Sequence, residues 1–190
     1  MDELVLYGRK AVEAGLAHSH FGNISKRVGG EILISATGSM LDALEDAIVR
    51  VPLDEAGSLE VIASTEVGVH RAIYRATDAL AVLHTHSPHA VAVSLLVGDG
   101  FEPIDSESRL LLGRMPVVEG EVGGAELAER AAAALVDHKA LVIRGHGPLV
   151  RGNTVDEAFV YACCVEHAAR VLWLVRTAGG VGSWREERHA

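Results

Sequence analysis

Short apolar runs of strand length alternate along this chain with longer stretches of helical periodicity, and this alternation restricts the fold more than any other feature. Ala79-Leu-Ala-Val-Leu83 and Ala140-Leu-Val-Ile143 read as buried strands, while Glu31-Ile-Leu-Ile-Ser35 follows Gly29-Gly30 and pairs as a hairpin with Asn23-Ile-Ser-Lys-Arg27. Ile48 to Val51 makes a further strand. Residues 2 to 17 predict a helix through Leu4, Leu6, Val12 and Leu16, and the acidic stretch Leu41 to Ala47 a short one. Ser64 stands where an N-cap belongs, ahead of the apolar face Val67, Ile73 and Tyr74 in a helix ending near Thr77-Asp78. Pro88 starts a helix carrying Val91 to Leu96. Gly123 to Asp137 forms another, and Thr154 caps a last one over Val155 to Ala178. The pattern predicts a layered α/β sandwich with a mixed or antiparallel sheet. No repeat or Pro/Ser-rich linker divides it, so residues 1–190 are expected to form one domain.

Hydrophobic residues at 49% and charged residues at 23% give the balance of a soluble globular protein. The formal net charge of -9, with no dense run of Lys and Arg, argues against nucleic acid as a partner. Small phosphorylated ligands remain compatible with it, because backbone N–H groups and a metal bind phosphate without bulk positive charge. The acidic N-terminus lacks a basic region followed by an apolar run, and no apolar segment runs uninterrupted to about 18 residues, so a cytoplasmic protein with no membrane partner is expected. Cys163 and Cys164 are adjacent in an apolar helical segment and read as buried structural thiols.

The chemistry concentrates at His84-Thr85-His86, which ends an apolar strand. Residues two apart on a strand project from the same face, so both imidazoles can reach one ion. Catalytic zinc sites commonly take three protein ligands, with nitrogens at about 2.0–2.1 Å, and keep a position open. His146 is the best third ligand: it follows the strand ending at Ile143 and lies between Gly145 and Gly147, which let the backbone turn tightly. His89 competes, but Pro88 turns the chain between it and His86. His18, His20, His70, His138, His167 and His189 have simpler surface, capping or packing explanations. Trp184 to Arg188 reads as a solvated tail or a subunit contact.

Glu66 opens a helix, where a carboxylate is favoured by the helix dipole alone. It could equally serve as an acid/base if that helix end faces the histidine strand. Gly22-Asn23, Thr37-Gly38-Ser39 and Ser64-Thr65 are short groups of small donors that suit a phosphate, although each alone also reads as a turn or cap.

In their order and spacing, Gly22-Asn-Ile-Ser25, Ala36-Thr-Gly38, Ser64-Thr-Glu66, His84-Thr-His86 and Gly145-His-Gly147 resemble the class II aldolase/adducin family over nearly the whole chain. The resemblance implies a three-layer α/β/α sandwich with a central, mainly antiparallel sheet, and usually a homotetramer. It implies one zinc per subunit, or another divalent ion, on His84, His86 and His146, with Glu66 as the catalytic carboxylate. Asn23, Thr37, Gly38, Ser64 and Thr65 match the residues that hold the substrate phosphate. The implied reaction is reversible aldol cleavage of a fuculose 1-phosphate-like ketose to dihydroxyacetone phosphate and a short aldehyde such as lactaldehyde. A methylthioribulose-phosphate dehydratase, a pentulose-phosphate 4-epimerase and a non-catalytic adducin-like module are the alternatives. Epimerases of the family tend to carry Asp where Glu66 stands, which favours the aldolase. A tyrosine that protonates the aldehyde oxygen in the family has no match in Pro103-Ile-Asp-Ser-Glu-Ser108.

Overall fold

The computed structural model describes residues 2–55 and 57–180; the His189 and Trp184 to Arg188 expectations lie outside them. In chain order the elements are α1 (Asp2–Glu13), β1 (Asn23–Val28), β2 (Glu31–Ser35), β3 (Ile48–Pro52), a 3₁₀ turn (Ser58–Val61) and α2 (Val67–Ala76). There follow β4 (Ala81–His84), α3 (Pro88–Ser94), β5 (Gly100–Phe101), α4 (Ser106–Leu112), β6 (Met115–Val118), α5 (Ala125–Asp137), β7 (Ala140–Ile143), β8 (Gly147–Gly152) and α6 (Val155–Thr177).

The strands form one sheet in the order β3-β2-β1-β4-β8-β7-β6-β5, antiparallel except at β6–β7. Period-2 alternation sends side chains to both faces. Ala81 and Leu83 of β4, Val142 of β7 and Val150 of β8 join a core under α1, α3, α4 and α6. Val82, Leu141, Ile143 and Leu149 join another under α2 and α5. Helices thus cover both faces of a mainly antiparallel sheet, which is the expected α/β/α sandwich.

Several boundaries differ from the sequence reading. Leu41 to Ala47 is not a helix: Ala43 N–H bonds Met40 O and Ala47 N–H bonds Leu44 O, both three-residue turn closures. Leu41 and Leu44 are fully buried, so two turns with inward leucines imitate a helical spacing. The first helix stops at Glu13, where Gly15 at φ 72° and the Leu16 N–H to Ala11 O bond close it in a left-handed cap. β4 begins two residues later than predicted and takes in His84. Ser64 is not the N-cap of α2; Glu66 is, and the Ser64 hydroxyl accepts the Glu66 N–H at 3.3 Å. Thr154 does cap α6, accepting from Glu157 N at 3.0 Å.

By length and composition α6 could cross a membrane. Its face from Val155 through Ala162, Val165 and Ala169 to Leu172 is buried against the sheet and α1, α3 and α4. Cys163 and Cys164 lie on this helix as half-buried free thiols rather than fully buried ones, and burial pushes Cys163 up to about 11.

Candidate metal and substrate site

The centre of the sheet builds the site. Antiparallel pairing sets Asn23 of β1 opposite His84 of β4, and His84 opposite Leu149 of β8. His146 sits in the turn between β7 and β8. Gly147, at φ 156°, lets that turn approach β4: a Cβ there would lie 2.0 Å from the Thr85 carbonyl oxygen.

His84 Nε2 lies 3.2 Å from both His86 Nε2 and His146 Nε2. His84 Nδ1 donates to the Pro148 carbonyl at 2.9 Å, which places its proton on Nδ1 and its lone pair on Nε2. Burial, reinforced by the neighbouring imidazoles, lowers His86 to about 3 and His146 to about 4, so these rings are neutral at physiological pH. Three neutral nitrogens converging this closely repel one another unless a cation lies between them. The donor set therefore fits a tetrahedral or five-coordinate metal with open positions. Phe21 stacks on His86, with centroids 4.9 Å apart and planes 8° apart, and braces that ring.

Glu66 enters from the N-terminus of α2, with Oε2 3.4 Å from His84 Nε2. Burial pushes its carboxyl upward, but His84, the Asn23 amide, His146 and His70 together outweigh it and hold the group below its ordinary value. Oε2 accepts from Asn23 Nδ2 at 2.6 Å, while Oε1 is buried and has no hydrogen-bond partner among the described residues.

Asn23, Thr37, Gly38, Ser64 and Thr65 line one cavity of about 170 Å³ with Glu66, His86 and His146. The Thr37 and Ser64 N–H groups are spent on Ile62 O and Ser35 O. Among the described residues, the N–H groups of Gly38 and Thr65 and the hydroxyls of Thr37 and Thr65 make no hydrogen bond and remain available to a ligand. Asn23 commits one amide N–H to Glu66 and keeps the other. Among the described residues, no Lys or Arg lines the cavity. The Pro103 to Ser108 stretch is elsewhere: Asp105 caps α4, accepting from Ser108 N at 2.9 Å, and none of these residues borders the cavity.

Two residues given simpler explanations in the sequence also belong here. His20 lines the cavity and donates from Nδ1 to Gly38 O at 2.7 Å, tethering the donor loop. His70 bonds Asn23 from behind. The signal for His70 was present in its spacing, four residues after Glu66 and four before Tyr74 on one helix. His89 is occupied by Glu166, at 2.6 Å from Nδ1, and stays out of the cluster.

Residues 2–173 match the model of the class II aldolase and adducin N-terminal domain. Fold, histidine cluster and buried carboxylate agree in defining a metal-dependent carbon–carbon lyase, and the chain belongs to the class II aldolase/adducin family. It is 29% identical over 187 residues to a 5-deoxy-D-ribulose 1-phosphate aldolase of Bacillus thuringiensis, covering 94% of this chain and 86% of that one. Identity is also 29% over 181 residues to a 3-oxo-tetronate 4-phosphate decarboxylase of Pectobacterium atrosepticum, covering 91% and 83%. The crystal structure of L-fuculose-1-phosphate aldolase from Thermus thermophilus superposes with a TM-score of 0.88 at 30% identity, covering 95% of each chain.

Proposed function

We propose that this protein catalyses reversible aldol cleavage of a phosphorylated ketose resembling L-fuculose 1-phosphate, giving dihydroxyacetone phosphate and a short aldehyde such as lactaldehyde, with zinc on His84, His86 and His146. The observation that carries the reading is the Glu66 carboxylate, whose Oε2 lies 3.4 Å from His84 Nε2 and is anchored by Asn23 while its buried Oε1 has no hydrogen-bond partner among the described residues. An ionised carboxylate with one oxygen anchored and the other free is suited to take a proton from a carbon acid held against it. Zinc would supply Lewis-acid stabilisation of the negative charge that develops on the ketone oxygen.

In the condensation direction, Thr37, Gly38, Ser64, Thr65 and the spare N–H of Asn23 hold the phosphate and so fix the distance from phosphate to ketone. Glu66 Oε1 then takes a proton from the carbinol carbon next to the ketone. That carbon attacks the aldehyde, and the new alkoxide takes up a proton. In cleavage the same carboxylate returns its proton to carbon. Neutral donors in place of Lys or Arg hold the phosphate without drawing Glu66 into an ion pair. By likeness to the family, the working assembly is a homotetramer in the cytoplasm.

Purified, zinc-loaded protein incubated with L-fuculose 1-phosphate and other ketose 1-phosphates should release dihydroxyacetone phosphate. It should also exchange a carbon-bound proton of dihydroxyacetone phosphate with solvent. Glu66→Gln should keep its zinc and lose exchange by about 10²–10⁴-fold. Release of carbon dioxide from a 3-oxo acid phosphate, water loss or epimerisation, with no dihydroxyacetone phosphate formed, would replace the aldolase reading with the corresponding activity.

A further inference from the structure

Behind Glu66 runs a buried chain of side chains of which only Asn23, next to Glu66, lines the cavity. Asn23 Nδ2 donates to Glu66 Oε2 at 2.6 Å, and Asn23 Oδ1 meets His70 Nε2 at 2.5 Å. His70 Nδ1 meets Ser25 Oγ at 2.6 Å, and Ser25 Oγ meets the Tyr74 hydroxyl at 2.7 Å. His70, Ser25 and Tyr74 are essentially inaccessible to solvent. Desolvation lowers His70 to about 3 and pushes the Tyr74 hydroxyl far above its ordinary value, so neither carries charge at neutral pH.

The direction of every bond follows from the carboxylate at one end. An ionised carboxylate only accepts, so the Asn23 amide must turn its nitrogen to Glu66 and its oxygen to His70. His70 must then carry its proton on Nε2, which leaves Nδ1 as an acceptor. Ser25 therefore donates to Nδ1, and its oxygen accepts from Tyr74. Reversing any one bond would set two acceptors face to face at the Glu66 end.

We infer that this polarised chain, from Tyr74 through Ser25, His70 and Asn23, pins Oε2 of Glu66 and thereby assigns Oε1 as the oxygen that exchanges protons with substrate. His70 is the positioning residue on which the rest depends, because its single tautomer orients the Asn23 amide. Rotation of the carboxyl group about its last bond would break the Asn23 contact, a charge-assisted hydrogen bond between two buried groups. The transferred proton accordingly stays on Oε1, from which it can return to the same carbon. This role rests on the aldolase reading; the polarity of the chain does not.

Two measurements separate these. Nitrogen NMR of protein with ¹⁵N-labelled histidine should show His70 protonated on Nε2 and not on Nδ1, in metal-free as well as zinc-loaded protein; an Nδ1–H tautomer would overturn the inference. In kinetics, His70→Leu should keep zinc and lower the kcat of proton exchange about 10- to 100-fold, a larger change than that in KM for dihydroxyacetone phosphate. His70→Gln, whose side-chain amide can donate from the place of Nε2, should recover most of that loss. Leu and Gln variants equally impaired, or both at the wild-type rate, would contradict it. If His70→Leu fails to fold, Tyr74→Phe serves instead and should lower kcat with KM unchanged, an unchanged kcat counting against the chain. Wild-type protein that is inert toward dihydroxyacetone phosphate would remove the aldolase reading and leave the tautomer to decide the polarity.

Discussion

Which nitrogen of His84 faces the cluster is settled on the far side of its ring, at the Pro148 carbonyl. His146 has no such anchor: its Nδ1 is buried without a hydrogen-bond partner among the described residues. Its orientation therefore rests on packing against His84 and His86, with centroids 4.5 Å from each. His146→Ala should remove most of the bound metal and activity while leaving the fold intact, since the residue lies in a turn outside both cores. Metal analysis beside circular dichroism would check this, and full zinc occupancy in the variant would end the ligand assignment. At this scale the sequence was informative where a short-range rule applied. His84 and His86 follow from the period of a strand, and the glycines flanking His146 signal a close approach. His70 escaped because a histidine on a buried helix face looks the same in sequence whether it fills space or orients a neighbour.

On α2 the spacing of four residues puts Glu66, His70 and Tyr74 on one inward face, next to Val69 and Ile73. Full burial of Val69 and Ile73 stabilises the helix on the sheet by about 1.5–3 kcal/mol each, which offsets part of the cost of dehydrating the polar members. That cost depends on pH. His70 has a folded pKa of about 3 against about 6.5 in an unfolded chain, so between these values unfolding takes up one proton. Stability on this account is complete above pH 6.5 and falls as the pH drops toward 3, by up to about 1.4 kcal/mol per pH unit. Urea unfolding of metal-free protein at pH 7 and pH 5 should show a steeper loss for wild type than for His70→Gln, and parallel losses would contradict it. Element by element, helices with real caps were legible, as Thr154 shows. The Leu41 to Ala47 turns were not, because apolar residues three apart satisfy a helix and a pair of turns alike. Ser64 misled for a related reason: its hydroxyl does bind an N–H, but one residue before the helix proper.

For the molecule as a whole, the sequence conveyed the alternation of layers but not the strand order. β8 went unrecognised because Gly147-Pro148 and Gly152 carry residues that usually weaken a strand, although it lies between β4 and β7 near the middle of the sheet. Strand order decides the site, since His84 and His146 are 62 residues apart and meet only when β8 lies against β4. Pairing strands so distant in sequence is a slow event in folding, because the intervening chain must be ordered before contacts reward it. The hairpin of β1 and β2 can form early and alone, yet it brings no ligand to any other. During refolding from urea, a dye that reports free zinc should register uptake only in the last kinetic phase, after most helical signal has returned. Uptake concurrent with the first phase would show that the histidines meet in a collapsed chain before the sheet is ordered. A nascent chain, by the same logic, has no high-affinity claim on a divalent metal until it has passed residue 152 and its central strands have closed, so such a metal would act as a seal on the finished fold rather than as its template.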